Sequence, residues 1–225
     1  MTELLDFHAH ILPRADHGSS SVDTSLCQIS MARQSGVSCI MATPHFYPAE
    51  EGVAKFLERR DRAYNRLLEA LEGTAIRIVP GAEVLICDNI ENLPMIDELC
   101  ITGTHTLLLE LPFTDFDKGY RSSVSALIKR GIDVVIAHAD RYNRENIDSL
   151  IAVGAKIQLN AASLSSLFVK KHLYAWIDAG VVVGLGSDIH REDKKAYKNF
   201  QTALRKMGCK RAEKIMVAAW NILND

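Results

Sequence analysis

No apolar stretch in the 225 residues reaches the roughly 18 positions that would suggest a membrane span. The opening segment Met1-Thr2-Glu3-Leu4-Leu5-Asp6 has neither the basic start nor the apolar run of a secretory signal, so the expected location is the cytoplasm with no membrane insertion. Cysteine is sparse. Cys27, Cys39, Cys87, Cys100 and Cys209 are odd in number, widely scattered and never in a Cys-x-x-Cys pair. That pattern argues against a disulfide framework and a thiolate zinc site, and it fits free thiols in a reducing compartment. There is also no excess of positive charge. A net charge of −2 and the lack of a basic tract exclude the electrostatic footprint of a nucleic-acid partner. No repeat, low-complexity tract or Pro/Gly/Ser linker interrupts the chain, so a single domain over 1–225 is expected.

What is present is a sizeable apolar fraction, 48%, arranged as short β-rich runs separated by amphipathic stretches. The runs are Leu4–Phe7, Ser38–Ala42, Ile76–Val79, Thr106–Leu109, Asp133–Ala137, Lys156–Asn160 and Val181–Gly186. Between the first two, Val22, Leu26 and Ile29 share one face of a helix expected from about Val22 to Ser35. Between the second and third, the stretch Val53–Leu71 places Val53, Phe56, Leu57, Tyr64, Leu67, Leu68 and Leu71 at helical spacing, and Gly73 closes it. Helical segments are expected after the fourth to seventh runs. Strands alternating with helices imply βα units with mainly parallel strands. Seven units predict an α/β fold, a closed or nearly closed βα barrel whose active site gathers at the C-terminal ends of the strands.

Six of the seven runs finish on a His, Asp or Glu. His8, His10, His17, His45, His138 and His190 lie at or just after strand ends, and Glu83, Glu110 and Asp188 occupy comparable positions. If the barrel closes, these nine meet at one mouth, where bound cations relieve both carboxylate repulsion and imidazole desolvation. Imidazole and carboxylate donors without thiolate suit zinc, manganese or iron. His8 and His10 are two residues apart on a strand and project to the same side, and Asp188 and His190 repeat that geometry. Singly, each signal has a plainer explanation. A His-x-His pair is common, Asp188 could cap a turn, Glu83 and Glu110 could be solvated acids, and His45 could be a rim residue held by Pro44. The joint placement on different strands gives the set its weight. By contrast, His105 and His172 read as solvated, and Trp176 and Trp220 as core.

These residues and their neighbours resemble the PHP (polymerase and histidinol phosphatase) family. The likeness is closest to its bacterial branch of metal-dependent protein-tyrosine phosphatases of capsular and exopolysaccharide synthesis. The resemblance rests on Phe7-His8-Ala9-His10-Ile11-Leu12-Pro13, Asp16-His17-Gly18, Ala42-Thr43-Pro44-His45, Pro80-Gly81-Ala82-Glu83-Val84, Leu108-Leu109-Glu110-Leu111, Ala137-His138-Ala139-Asp140-Arg141-Tyr142, Gln158-Leu159-Asn160 and Gly186-Ser187-Asp188-Ile189-His190. It implies a distorted seven-unit (β/α) barrel of PHP type holding two or three divalent ions (Mn, Fe or Zn). His8, His10, Glu83 and Asp188 would hold one, Glu83, Glu110 and His138 a second, and His17, His45 and His190 a third. Glu83 and His138 thus belong to the catalytic set, joined by Arg141 as the phosphate-binding residue. The sequence departs from the branch in two places: His17 stands where aspartate is usual, and the stretch after His190 lacks Arg-Pro-Pro. Arg191 and Lys195 are the substrate-binding residues that could replace the missing arginine, although lysine lacks the bidentate fork.

The expected chemistry is in-line attack of a metal-activated hydroxide on phosphorus, with no cysteine nucleophile. The expected partner is a phosphotyrosine protein, such as a tyrosine autokinase tail. Two alternatives stand beside this: a PHP phosphatase of a small metabolite (histidinol phosphate or a sugar phosphate), and a catalytically silent metal-binding regulatory module.

Overall fold

Pro44 and Pro80 determine how the strands run. Each interrupts an apolar run just before its catalytic-type residue and removes a backbone N–H from the ladder. In the computed structural model of the protein, which describes residues 3–71, 73–113, 116–117 and 119–224, the second and third sequence runs each form one strand, and a further short strand that the apolar pattern does not announce follows each of them. Met1, Thr2 and Asp225 of the expected 1–225 domain lie outside those residues. The elements are β1 (Leu4–Ala9), α1 (Val22–Gln34), β2 (Val37–Ala42), β3 (His45–Phe46), α2 (Val53–Ala70), β4 (Arg77–Pro80), β5 (Glu83–Leu85) and β6 (Thr106–Glu110). They continue with α3 (Gly119–Lys129), β7 (Asp133–Ile136), α4 (Arg144–Ile151), β8 (Lys156–Asn160), α5 (Ala161–Ser165), α6 (Lys171–Ala179), β9 (Val182–Gly186), α7 (Ala196–Met207) and α8 (Cys209–Asn224).

All recorded strand pairs are parallel. They form a three-stranded sheet in the order β1-β2-β4 and a six-stranded sheet in the order β3-β5-β6-β7-β8-β9. Backbone hydrogen bonds carry the pairing across the breaks. The Thr43 N–H donates to the Ala9 carbonyl (3.0 Å), Gly81 to Ala42 (2.9 Å) and Glu83 to Pro44 (3.0 Å). On the far side, the Asp188 N–H donates to the His8 carbonyl (2.8 Å) and the His10 N–H to Ile189 (3.2 Å), which ties the end of β9 to the end of β1. The fold is thus α/β with parallel sheets.

The strands are buried on both faces, as continuous apolar runs require. Leu5, Phe7, Ile40, Met41, Leu107, Leu109, Ile157 and Leu185 have essentially no exposed surface and join one hydrophobic cluster that extends to Ala219 on α8. Each such side chain contributes about 1.5–3 kcal/mol of transfer free energy. Trp176 is buried as expected, and Trp220 is half-buried with its indole N–H on the Glu3 carbonyl (2.8 Å). His105 is exposed, whereas His172 is half-buried against the edge of Trp176, because α6 lays the two on one face.

The buried face of α1 is shifted from the one the apolar spacing suggested, whereas α2 buries the expected face apart from Leu68. On α1 the buried set is Thr24, Ser25, Gln28, Ile29 and Ala32, while Val22 and Leu26 are only half-buried. The polar members have partners: Ser25 Oγ meets Ser19 Oγ (2.7 Å), and Gln28 Nε2 donates to the His10 carbonyl (3.3 Å). On α2, Leu68 is 41% exposed and Arg60 is buried in the stripe with Val53, Phe56, Ala63 and Leu67. The Arg60 guanidinium bonds Asp61 (2.8 Å), which offsets the burial of its charge. All five cysteines are free. Among the described residues no helix is long and apolar enough to cross a membrane.

Candidate metal centre

The strand ends do bring the nine side chains together. His8 leaves β1 and His10 follows it; Glu83 opens β5 and Glu110 closes β6; His138 follows β7; Asp188 and His190 follow β9. His8, His10 and Glu83 are fully buried and form the floor. Above them His17, His45, Glu83, Glu110, His138, Asp188 and His190 line a cavity of about 280 Å³, together with Tyr47, Phe113 and Arg141. His17 reaches it from the loop after β1, with its ring 4.8 Å from those of both His45 and His190.

The backbone is strained where it delivers two of these groups. His138 and Asp188 have positive φ (32° and 52°), an uncommon conformation for residues with a side chain. Glycine permits two close approaches. A Cβ on Gly186 would lie 2.7 Å from His8 Cβ and 2.5 Å from Gln158 Nε2, and one on Gly18 would clash with His10.

Hydrogen bonds at the outer ring nitrogens fix which nitrogen faces inward. His10 Nδ1 is 2.6 Å from Asp16 Oδ2, and His8 Nδ1 is 3.2 Å from Gln158 Oε1. Both outer partners are acceptors, so each Nδ1 carries the proton and each Nε2 turns a lone pair inward. The two Nε2 atoms lie 3.0 Å apart, 3.2 and 3.3 Å from Glu83 Oε2, and 3.8 and 3.4 Å from Asp188 Oδ1. Asp188 turns its other oxygen outward, where Asn160 Nδ2 donates to it (2.9 Å) and Arg141 pairs with it. Glu83 Oε1 meets His138 Nε2 at 2.8 Å. Glu110 stands 3.4 Å from His138 Nε2 and 3.6 Å from His45 Nδ1.

This donor set fits divalent cations. Glu83 Oε2 is surrounded by three imidazole nitrogens within 3.3 Å, including His45 Nδ1 at 3.0 Å. Yet Glu83 Oε2 and His45 Nδ1, 3.0 Å apart, make no hydrogen bond among the described residues, although both atoms are buried. Lone pairs that converge on a space without meeting donors are what a cation satisfies. The ligand atoms fall into three groups lying within 4.8 Å of one another: His8–His10–Asp188, His45–Glu83–Glu110 and His10–His45–His190. The family resemblance further assigns His138 to the Glu83–Glu110 pair, whose oxygens lie 2.8 and 3.4 Å from its Nε2, and His17 to the His45–His190 pair, whose rings lie 4.8 Å from its own.

Charge coupling follows from this crowding. Burial pushes the His45 and His138 imidazoles down, but Glu110 and Glu83 beside them reverse the effect and hold both at about 9. Burial pushes the Glu83 carboxyl up, and His8, His10, His138 and His45 overcome it and hold it well below the ordinary range. Burial and the neighbouring His10 push His190 down to about 4, and burial and His45 also lower His17. Those two rim imidazoles are neutral near pH 7, as ligands must be.

These features have counterparts in known proteins. A description of capsular polysaccharide synthesis proteins, CpsB/CapC, matches residues 4–223. The chain belongs to the CpsB/CapC family. Among the family's characterised relatives, the tyrosine-protein phosphatase YwqE of Bacillus subtilis (strain 168) is 28% identical, covering 88% of this chain and 81% of its own. The tyrosine-protein phosphatase CpsB of Streptococcus pneumoniae is 25% identical, covering 95% of each. A crystal structure from work on those two proteins, described there as unique metal-dependent tyrosine phosphatases, superposes with a TM-score of 0.76. It is 25% identical and covers 98% of this chain and 92% of that one. A β-aspartyl dipeptidase from Fervidobacterium islandicum AW-1 shares the fold at a TM-score of 0.57 and 14% identity, covering 96% of this chain and 71% of its own.

Arg141, the expected phosphate ligand of the family resemblance, is part of the cavity rim and partly exposed. Arg191 and Lys195 are exposed, and neither lines the cavity; Arg191 instead anchors the rim through its backbone N–H on the Gly18 carbonyl (2.6 Å). Three contributors carried no expected role. Asp16 grips His10 Nδ1 and also accepts from the Gly18 and His45 backbone N–H groups (2.8 and 3.0 Å). Gln158 orients His8 and holds the His138 N–H (2.6 Å). Asn160 holds Asp188. Asp16 sits directly before His17 in a quoted motif, and Gln158 and Asn160 alternate along β8 toward the same end. Those positions were the available signals.

Proposed function

We propose that this chain is a metal-dependent phosphomonoesterase acting on protein phosphotyrosine in capsular or exopolysaccharide regulation. One observation carries the reading: buried imidazole nitrogens and carboxylate oxygens converge, with Glu83 Oε2 and His45 Nδ1 left without a hydrogen bond among the described residues, in a chain whose CpsB/CapC relatives are tyrosine phosphatases. The nine residues His8, His10, His17, His45, Glu83, Glu110, His138, Asp188 and His190 would hold two or three ions, of manganese, iron or zinc. Parallel pairing from β1 round to β9, with β9 bonded back to β1 at its end, supports a distorted seven-unit barrel forming one domain. The five free thiols fit a cytoplasmic setting.

When bound, such ions supply Lewis acidity, acidifying water and neutralising phosphate oxygens. The chain's own residues do the rest. Arg141 offers a guanidinium at the mouth, already paired with Asp188, with further N–H groups to present to phosphate oxygens. Gln158 and Asp16 keep the His8 and His10 rings turned inward. Tyr142 donates its hydroxyl hydrogen to the Leu111 carbonyl (2.8 Å) and accepts from the Leu111 N–H (3.2 Å), which fixes the rim segment that carries Phe113. Phe113, 71% exposed at the cavity edge, presents an apolar face suited to a phenyl ring.

The test compares phosphotyrosine peptides with histidinol phosphate and sugar phosphates. A kcat/KM at least about tenfold higher on the peptides is expected; a preference for a small metabolite would replace this reading with the metabolite phosphatase. Arg141→Ala should lower kcat/KM about 10²-fold with metal content unchanged. His138→Ala should remove both activity and metal. Metal binding with no hydrolysis of any phosphoester would support a silent regulatory module.

A further inference from the structure

Beyond the cavity mouth, two further concavities continue the same surface. The first, about 240 Å³, shares Phe113 and Arg141 with the metal cavity and extends over Pro112, Tyr142 and Asn143. The second, about 680 Å³, shares Phe116 and Asn146 with the first and runs between α3 and α4. Shared lining residues therefore connect the metal centre to the α3–α4 groove.

The groove walls are two helical stripes. Arg121, Ser125 and Lys129 stand at i, i+4 and i+8 along α3, and Glu145, Ser149 and Val153 at the same spacing along and just past α4. Eight residues of helix rise about 12 Å, the length of about four extended residues. Ser122, Ser125, Ser149 and Asn146 add hydrogen-bonding side chains suited to a peptide backbone. Among the described lining residues two cations, Arg121 and Lys129, face one acid, Glu145, so that lining is net positive in a chain whose overall charge is −2.

We infer that the α3–α4 groove binds an acidic segment of the substrate polypeptide flanking the scissile phosphotyrosine. The inference rests on the phosphatase reading of the metal cavity. It supplies what that cavity cannot, because about 280 Å³ holds a phosphorylated side chain but not its neighbours. A phosphotyrosine seated past Phe113 directs its chain over Asn143 and Asn146 into the groove, where Glu or Asp residues within about four positions meet Arg121 and Lys129.

The test uses the metal-loaded full chain and fluorescent decapeptides containing phosphonomethyl-phenylalanine, a stable phosphotyrosine mimic. One peptide carries Glu at the flanking positions and the other Gln. Anisotropy should give at least about fivefold tighter binding of the Glu peptide, with the difference shrinking as salt rises. R121E/K129E should erase that preference and leave the hydrolysis rate of para-nitrophenyl phosphate unchanged. Equal binding of the two peptides by the wild-type chain, or a preference retained in the variant, would overturn the inference. If the charge-reversed chain lacks a melting transition, R121Q/K129Q carries the same test and should reduce the preference at least twofold. Absence of aryl phosphate hydrolysis by the wild-type chain would instead strike the phosphatase reading, while the anisotropy still reports on the groove.

Discussion

At the residue scale, the centre is a problem of unmet lone pairs. Glu83 is the pivot, since its two oxygens reach His8, His10, His45 and His138 at 2.8–3.3 Å. Asp16 is the least expected contributor, because one carboxylate fixes the His10 ring and two backbone N–H groups at once. Asp16→Asn should weaken metal affinity about 10–100-fold in a competition titration with a chromophoric chelator, with little loss of secondary structure by circular dichroism. Unchanged affinity would remove Asp16 from the account. Protons compete with metal for the same atoms. His45 and His138 sit at about 9 against an ordinary 6.5, so the folded chain holds protons there more tightly than the unfolded chain does. That contribution to stability is full below pH 6.5 and fades as pH rises to about 9. Chelator-treated protein should therefore lose several degrees of melting temperature from pH 6.5 to 9, and metal-loaded protein should lose much less. A melting temperature that rises across that window in the chelated sample would contradict the assignment. The lowered carboxylates Asp16, Glu83 and Asp188 act only at acid pH and do not enter this window.

At the element scale, the strand ends must be held in register for the site to exist. Asp6, buried inside β1, does this beneath the metal centre: it accepts from the Ser187 N–H (2.8 Å), the His8 N–H (3.3 Å) and the Tyr197 hydroxyl (2.9 Å). Burial raises the Asp6 carboxyl above its usual range despite those donors. Removing one leaves a buried oxygen unpaired, so Tyr197→Phe should cost about 1–3 kcal/mol in urea unfolding. A loss below about 0.5 kcal/mol would show that Asp6 finds another donor. The strands themselves were legible, because continuous apolar runs such as Leu107–Leu109 leave little alternative. The short strands His45–Phe46 and Glu83–Leu85 are not legible, because two or three residues carry no period and their pairing is set by the strands beside them. The inward face of α1 was misjudged for a different reason. Ser25 and Gln28 are buried because Ser19 and the His10 carbonyl satisfy them, and such pairings depend on contacts that helical spacing does not encode.

At the scale of the whole molecule, the nine chemistry-bearing residues are legible in sequence because most follow or end an apolar run, and parallel strands put such positions on one side; His45 and Glu83 instead open short strands of their own, and His17 comes from the loop after β1. Which atoms of the nine face one another is not legible in the sequence. Residues such as His17 and His45 sit within reach of several neighbours, and loop geometry decides which atoms face each other. The route from cavity to groove was equally hidden, since it joins the segment after β6 to α3 and α4 through Phe113, Phe116 and Asn146. Charge balance at this scale has one consequence for stability: a cation bound only by the folded chain adds about 4 kcal/mol at a thousand times its dissociation constant. The most direct measurement combines elemental analysis of the purified chain with its rate of phosphotyrosine-peptide hydrolysis before chelation, after chelation and after adding back manganese, iron or zinc. The account predicts at least two equivalents of divalent metal, loss of hydrolysis with their removal and recovery on their return. Full activity in a chain stripped of metal would contradict it.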